Sequence, residues 1–155
     1  MVAFHFRMPA GIPGAANRVH DATIEAQIID PDNPPLAYGT GVVIDETSGK
    51  VRPPEDGDTI YGVYVRPYPT NSTQDPLGTD TPPKIGEANV MVRGYMTVLL
   101  RGTDPAVKGA KAYVMSSGDT PGGVTAEEDL PFPGVGAYFM GPADADGFTE
   151  IAVNI

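Results

Sequence analysis

Residues 90–101, the longest apolar-rich run of the chain, constrain the fold most strongly, because Gly94 interrupts them near the middle. On both sides of this glycine, β-branched, aromatic and aliphatic residues alternate in the period-two pattern of a strand. A glycine inside such a pattern marks a bulge, a bend or a close backbone approach. The run therefore predicts one long, bent strand with shorter strands gathered around it.

The rest of the chain predicts an all-β fold. With 19 glycines and 17 prolines in 155 residues, no ten-residue window keeps a helical period, and only Asp104-Pro105 could begin a single helical turn. The length fits one domain, so we predict a small β-sandwich, jelly-roll-like, or a partly open barrel, with long loops. The other expected strands are residues 22–29, 40–45, 59–66, 110–115, 135–140 and 148–155, and the last two of these form a hairpin.

The N-terminus reads as a separate strand and arm. Residues 2–8 alternate cleanly, with Val2, Phe4, Phe6 and Met8 on one side and Ala3, His5 and Arg7 on the other. A Pro/Gly-rich stretch, residues 9–14, follows. An alternating terminal strand is suited to adding onto its own sheet or onto that of a neighbour. We therefore divide the chain into an N-terminal strand and arm, residues 1–21, and a β-rich body, residues 22–155.

Charge and composition exclude several classes of function. The net charge of −10 argues against a nucleic-acid partner, because phosphates need neutralisation by Lys and Arg. The absence of cysteine excludes disulfides and thiolate metal sites. We expect no membrane partner, because no run approaches the roughly 20 apolar residues of a membrane helix. Residues 112–155 carry seven carboxylates and no basic residue, so this stretch forms either a solvated acidic face or the opposite side of an arginine-bearing docking face.

The chain offers little that could support catalysis. His5 and His20 are the only histidines, and we expect both at the surface. Asp144 and Asp146 precede Gly147 as in a calcium loop, but the strand that follows lacks the remaining ligands, and Asp-Gly between strands favours a hairpin turn. We assign no catalytic, metal or cofactor-binding residue and expect no cofactor. A small β-barrel ligand-binding or hydrolytic domain, with carboxylates at Asp144 and Asp146, stays as a minor alternative.

Five segments together carry a resemblance to a known family. They are MPAGIPG at residues 8–14, TIEAQII at 23–29, YGVYVRPYPT at 61–70, VMVRGYMTV at 90–98 and YFMGPADADGFTEIAVNI at 138–155. In these segments the chain resembles the structural cement, or head decoration, proteins of tailed bacteriophages. The resemblance implies a non-enzymatic protein, made in the host bacterial cytoplasm, that binds the outer surface of the expanded head. There it would stabilise joints between major capsid protein subunits, as a homodimer or homotrimer.

The candidate contact residues lie on the arm and on an Arg/Tyr-bearing face of the body, because Tyr and Arg are favoured at protein–protein interfaces. A phage tail or baseplate structural protein is the nearest alternative, since it would share this composition. The candidate interface residues are Phe4, Phe6, Arg7 and Met8 on the arm, and Arg66, Tyr68, Arg93 and Tyr95 on the body.

Overall fold

The computed structural model describes residues 11–67 and 81–155. These two ranges contain β-strands and one 3-10 turn, Val19–Asp21, and no α-helix, which confirms the all-β prediction. The helical turn expected at Asp104-Pro105 is wrong, because the chain there only bends. The strands are β1 Ala16–Asn17, β2 Thr23–Ile28, β3 Gly41–Ile44, β4 Val51–Arg52, β5 Gly62–Val65, β6 Glu87–Arg101, β7 Lys111–Val114, β8 Val124–Thr125, β9 Leu130–Pro131, β10 Ala137–Phe139 and β11 Phe148–Val153.

The long strand expected around Gly94 is β6, which spans 15 residues. Gly94 has a φ of +139°, a conformation that side-chain-bearing residues rarely adopt. A Cβ at this position would lie 2.9 Å from the Met91 sulfur and 3.1 Å from the Cα of Ala22. Gly94 therefore allows both the unusual backbone and the close approach of the N-terminal segment.

β6 joins two parts of one continuous sheet. Its first half pairs antiparallel with β2 and with β5, which must lie on opposite sides because both pair with residues 89–91. Its second half likewise lies between β1 and β11, which both pair with Tyr95 and Met96. β3 and β4 extend the sheet beyond β5, and β10, β7 and β8 extend it beyond β11 until β8 pairs parallel with the end of β6.

This curled, barrel- or sandwich-like sheet encloses one large hydrophobic core and a smaller one. The large core is centred on β6 and β11, and includes the fully buried Met91, Met96 and Ile151. The smaller core lies on the side of β3 and β5 and includes Tyr64, over which Tyr38 packs with ring centroids 5.0 Å apart. Burial raises the pKa of the Tyr64 hydroxyl, so this phenol stays neutral.

The C-terminal hairpin is confirmed. β10 pairs with β11, and the turn between them is organised by Asp144. The Asp144 Oδ1 atom accepts hydrogen bonds from the backbone N–H groups of Asp146 and Phe148, at 3.0 and 2.8 Å. This carboxylate therefore holds its own turn, as an Asx turn does.

The apolar side chains of β2 face the solvent, and two of its polar side chains face the body. Ile24, Ala26 and Ile28 are exposed, with Ile28 at 51%, while Glu25 and Gln27 are half-buried. Hydrophobic alternation alone favours the opposite arrangement. Tyr61 is the partner of this polar side, because its hydroxyl lies against the carboxylate of Glu25 and accepts a hydrogen bond from the Gln27 amide at 3.4 Å.

Candidate interaction surface

The segment that leads out of the N-terminal arm is built into the body. Gly14 donates its N–H to the Thr97 carbonyl at 2.8 Å, and Thr97 donates to the Ala15 carbonyl at 3.1 Å. Pro13 and Gly14 are buried, and a Cβ on Gly14 would lie 2.6 Å from the Cβ of Tyr38. Residues 11–17 are therefore a fixed strap across the second half of the long strand.

Arg66 holds this strap from the other side. Its backbone N–H donates to the Gly14 carbonyl at 2.7 Å, and its Nε donates to the Pro13 carbonyl at 3.0 Å. The guanidinium carbon lies 4.8 Å from the centre of the Tyr38 ring, within range of a cation–π contact. Arg66 thus anchors the N-terminal segment, a role that its place in the sequence did not indicate.

Tyr95 supports the next residues of the same segment. Arg18, whose φ of +50° is unusual for a residue with a side chain, lays its guanidinium 4.0 Å from the centre of the Tyr95 ring. Glu150 of β11 accepts from Arg18 at 3.0 Å and from the Asn17 amide at 2.9 Å. Because Glu150 uses both carboxylate oxygens, it joins the end of β1 to the opposite side of β6.

Arg93, on the other side of Gly94, is exposed, and its Nη1 lies 3.4 Å from the carbonyl of Asp21. Together, Arg66, Arg93 and Tyr95 all contact residues 13–21. The three candidates that lie on the described part of the body therefore share one location, the surface on which residues 13–21 pack, which we call the seat of the N-terminal segment. The other five candidates lie outside the described residues: Phe4, Phe6, Arg7, Met8 and Tyr68. The use of all eight residues as an interface stays a prediction. The division of the chain into an arm and a body between residues 21 and 22 also stays a prediction.

The feature that sequence reasoning did not single out is the outer side of β2. Its stripe of Ile24, Ala26 and Ile28 lies in solvent, and within residues 11–67 and 81–155 β2 pairs only with β6. The alternation of apolar and polar residues at 22–29 did indicate that one side of this strand is apolar. What sequence alone could not show is that Tyr61 holds the polar side inward.

Several acidic residues are bound to neighbouring backbone groups or arginines. Arg52 forms two hydrogen bonds to Asp58, at 2.7 and 3.1 Å, and this contact lowers the pKa of the Asp58 carboxyl. Glu127 accepts from the Thr103 N–H, which lowers the pKa of the Glu127 carboxyl. No group of three or more His, Asp or Glu side chains in the described ranges is arranged to hold a metal ion. The same ranges contain no helix long and apolar enough to cross a membrane.

Comparison with known proteins identifies the class of the chain. A family model described as XM1 gp53 minor capsid protein matches residues 1–153. A chain of a solved structure, the capsid of Myoviridae phage XM1, superposes with a TM-score of 0.67 at 17% identity, over 96% of this chain and 92% of that chain. At this identity the superposition shows a shared fold. No curated protein sequence matches.

The chain is thus a capsid-associated structural protein of a bacteriophage. It belongs to the XM1 gp53 minor capsid protein family, and its place is the phage virion. The expectation of a phage head protein, drawn from the five sequence segments, is confirmed.

Proposed function

We propose that this capsid protein is a non-enzymatic decoration protein that binds the outer surface of the expanded head and stabilises joints between major capsid protein subunits. The observation that carries the proposal is the fixed seat of the N-terminal segment. Residues 13–21 are held by Arg66, Arg93 and Tyr95, so an arm of ten residues leaves a rigid body at a defined point. A rigid body with an anchored arm can hold neighbouring proteins at a set spacing.

The net charge of the chain supports a position on the outer surface of the head. A protein of net charge −10 gains nothing from the packaged DNA, whose phosphates repel it. The arm and the Arg/Tyr-bearing face supply the contacts with neighbouring proteins of the shell, through Phe4, Phe6, Arg7, Met8, Arg66, Tyr68, Arg93 and Tyr95. Several ordinary contacts made at once give an avidity that no single contact provides.

Co-sedimentation with purified heads tests this function. The protein is mixed with expanded, undecorated heads and, separately, with unexpanded proheads, both free of the protein. We expect saturable binding to expanded heads alone. Failure to bind any head removes the decoration role, and binding instead to purified tails or baseplates supports the alternative of a tail structural protein.

A charge reversal identifies the contact face. Arg93 is exposed, so Arg93→Glu should fold normally and weaken head binding by about tenfold or more if this residue faces the capsid. Lys108→Glu is the matched control, because Lys108 is also exposed and undergoes the same change of charge. Equal head affinity for the two variants would exclude Arg93 from the contact.

A further inference from the structure

We propose that a second copy of this chain supplies its residues 2–8 as an additional strand along the free side of β2, so that copies are joined by exchanged arms. This exchange between copies does not require that the protein binds the head. It accounts for two features at once: an alternating strand at the N-terminus and an exposed apolar stripe on β2.

The first support is the exposed edge itself. β2 is six residues long and hydrogen-bonds to β6 on one side. On its other side the described residues place a strand only just beyond its C-terminal end, where Val51 of β4 bridges Ile29 and accepts a hydrogen bond from the Asp30 N–H at 2.9 Å. Unpaired N–H and C=O groups along such an edge are a template for pairing with another chain. Proteins commonly blunt such edges with lysine, proline or a bulge. β2, TIEAQI, contains neither lysine nor proline, and its one register shift lies at its start, between Thr23 and Ile24.

The second support is the match of side chains. In an added strand, residues 2, 4, 6 and 8 would share one face, and this face of Val, Phe, Phe and Met would continue the apolar stripe of Ile24, Ala26 and Ile28. Lateral contacts between these neighbouring side chains remove part of the apolar surface of Ile24 and Ile28, which are 39% and 51% exposed, from water.

The third support is charge. Residues 21–28 include two carboxylates, Asp21 and Glu25, and no basic residue, while residues 2–8 include His5 and Arg7 and no carboxylate. His5 and Arg7 would lie on the same face as Glu25 and Gln27 when the apolar faces align. Opposite charges across neighbouring strands favour this pairing over the pairing of two β2 strands with each other.

Chain length favours a second copy over the same chain as the source of the strand. Gly11 lies beside Thr97, since a Cβ on Gly11 would be 2.9 Å from the Thr97 Oγ1 atom. Three Cα–Cα steps keep Met8 within about 11 Å of Gly11. Thr23 lies opposite Arg93, four residues further along β6 and about 13 Å away. Met8 of the same chain therefore stops short of the start of β2, so a second copy is the source that can place all of residues 2–8 along this edge.

Oligomer size tests the proposal in solution. We expect the full-length protein to sediment as an oligomer and a variant without residues 1–10 to sediment as a monomer, with the truncation ending before the buried Pro13 and Gly14. Ile28→Lys should likewise give monomers, while Val107→Lys should not, because Val107 is similarly exposed, at 57%, but lies in a loop between β6 and β7. A monomeric full-length protein, or an oligomer that survives loss of residues 1–10, overturns the proposal.

Engineered cysteines identify the strand that covers β2, since the chain has no cysteine of its own. Two double variants, Phe4→Cys with Ala26→Cys and Phe6→Cys with Ala26→Cys, sample neighbouring registers on the shared apolar face. Under oxidation, at least one should form disulfides between copies, seen as covalent multimers on non-reducing gels. Phe4→Cys with Ser117→Cys, in a distant exposed turn, is the control. Disulfides within single chains, or none in either variant, would reject exchange. Head binding is not measured, so either proposal can fail alone.

Discussion

β2 and β11 are two strands of six residues with the same relation to β6 and opposite surroundings. Each pairs antiparallel with β6 and turns successive side chains to opposite faces. In β11, Ile151 and Val153 are buried in the large core, and β10 occupies the far side of the strand. In β2, Ile24 and Ile28 lie in solvent, and the described residues leave its far side without a strand except just beyond its C-terminal end, where Val51 of β4 bridges Ile29. Alternation therefore defines two faces, while the neighbouring layer decides which one is buried.

The same side-chain truncation, isoleucine to alanine, made once in β11 and once in β2 should give the largest difference between the two strands. Ile151→Ala should lower the free energy of unfolding by about 2–5 kcal/mol, because the side chain is fully buried and its loss leaves a cavity. Ile28→Ala should change it by no more than about 0.5 kcal/mol. Both are measured by urea unfolding at concentrations where each variant is monomeric. A large effect of Ile28→Ala in the monomer would mean that β2 is covered within one chain.

Gly94 tests whether the two halves of β6 depend on the glycine conformation between them. Gly94→Val should cost about 2–4 kcal/mol, because its φ of +139° strains a branched residue and its Cβ would crowd Met91 and Ala22. Gly49→Val, at a turn glycine of φ +68° whose Cβ would meet no atom within 4 Å, is the control for strain without crowding. If both variants lose the same stability, the close approach at Gly94 contributes nothing.

The smallest expected effect concerns the contact between Tyr61 and the polar side of β2. Tyr61→Phe should cost roughly 1 kcal/mol, because it removes the hydroxyl that binds Glu25 and Gln27. The hydrogen bond to Glu25 raises the pKa of the Tyr61 phenol above its usual value of 10.0.

The raised pKa gives this contribution a defined pH dependence. It is fully present below pH 10.0, the pKa of the unfolded phenol, and is lost as the pH rises through the folded pKa. Urea midpoints of the wild type and Tyr61→Phe should therefore differ by a constant amount from pH 7 to 9 and converge at higher pH. A difference that is constant into the alkaline range would show that the hydroxyl does not act through Glu25.

Local pattern was sufficient to predict much of the fold. The long strand followed from β-forming residues on both sides of one glycine, and the last hairpin followed from Asp-Gly between two alternating runs. The helical turn at Asp104-Pro105 failed because good capping residues do not by themselves stabilise a single turn.

The candidate surface was less accessible to sequence reasoning, because its geometry depends on contacts distant along the chain. Arg66 is 53 residues from Pro13, and Glu150 is 132 residues from Arg18. No local pattern reports that such residues meet. The orientation of β2 was hidden for the same reason, since Tyr61 lies 36 residues from Glu25.

The strap at residues 11–17 has a mechanical consequence. A force on the N-terminal arm reaches the body at Gly14 and Ala15, which are hydrogen-bonded to Thr97 in the second half of the longest strand and, through Arg66, to the segment that follows β5. Hydrogen bonds in an antiparallel pair lie perpendicular to the strands. A pull along the strand direction therefore loads these bonds in shear, so that they must break together, whereas a sideways pull peels them one at a time. The direction in which a neighbour tugs on the arm would thus set how much tension the joint withstands.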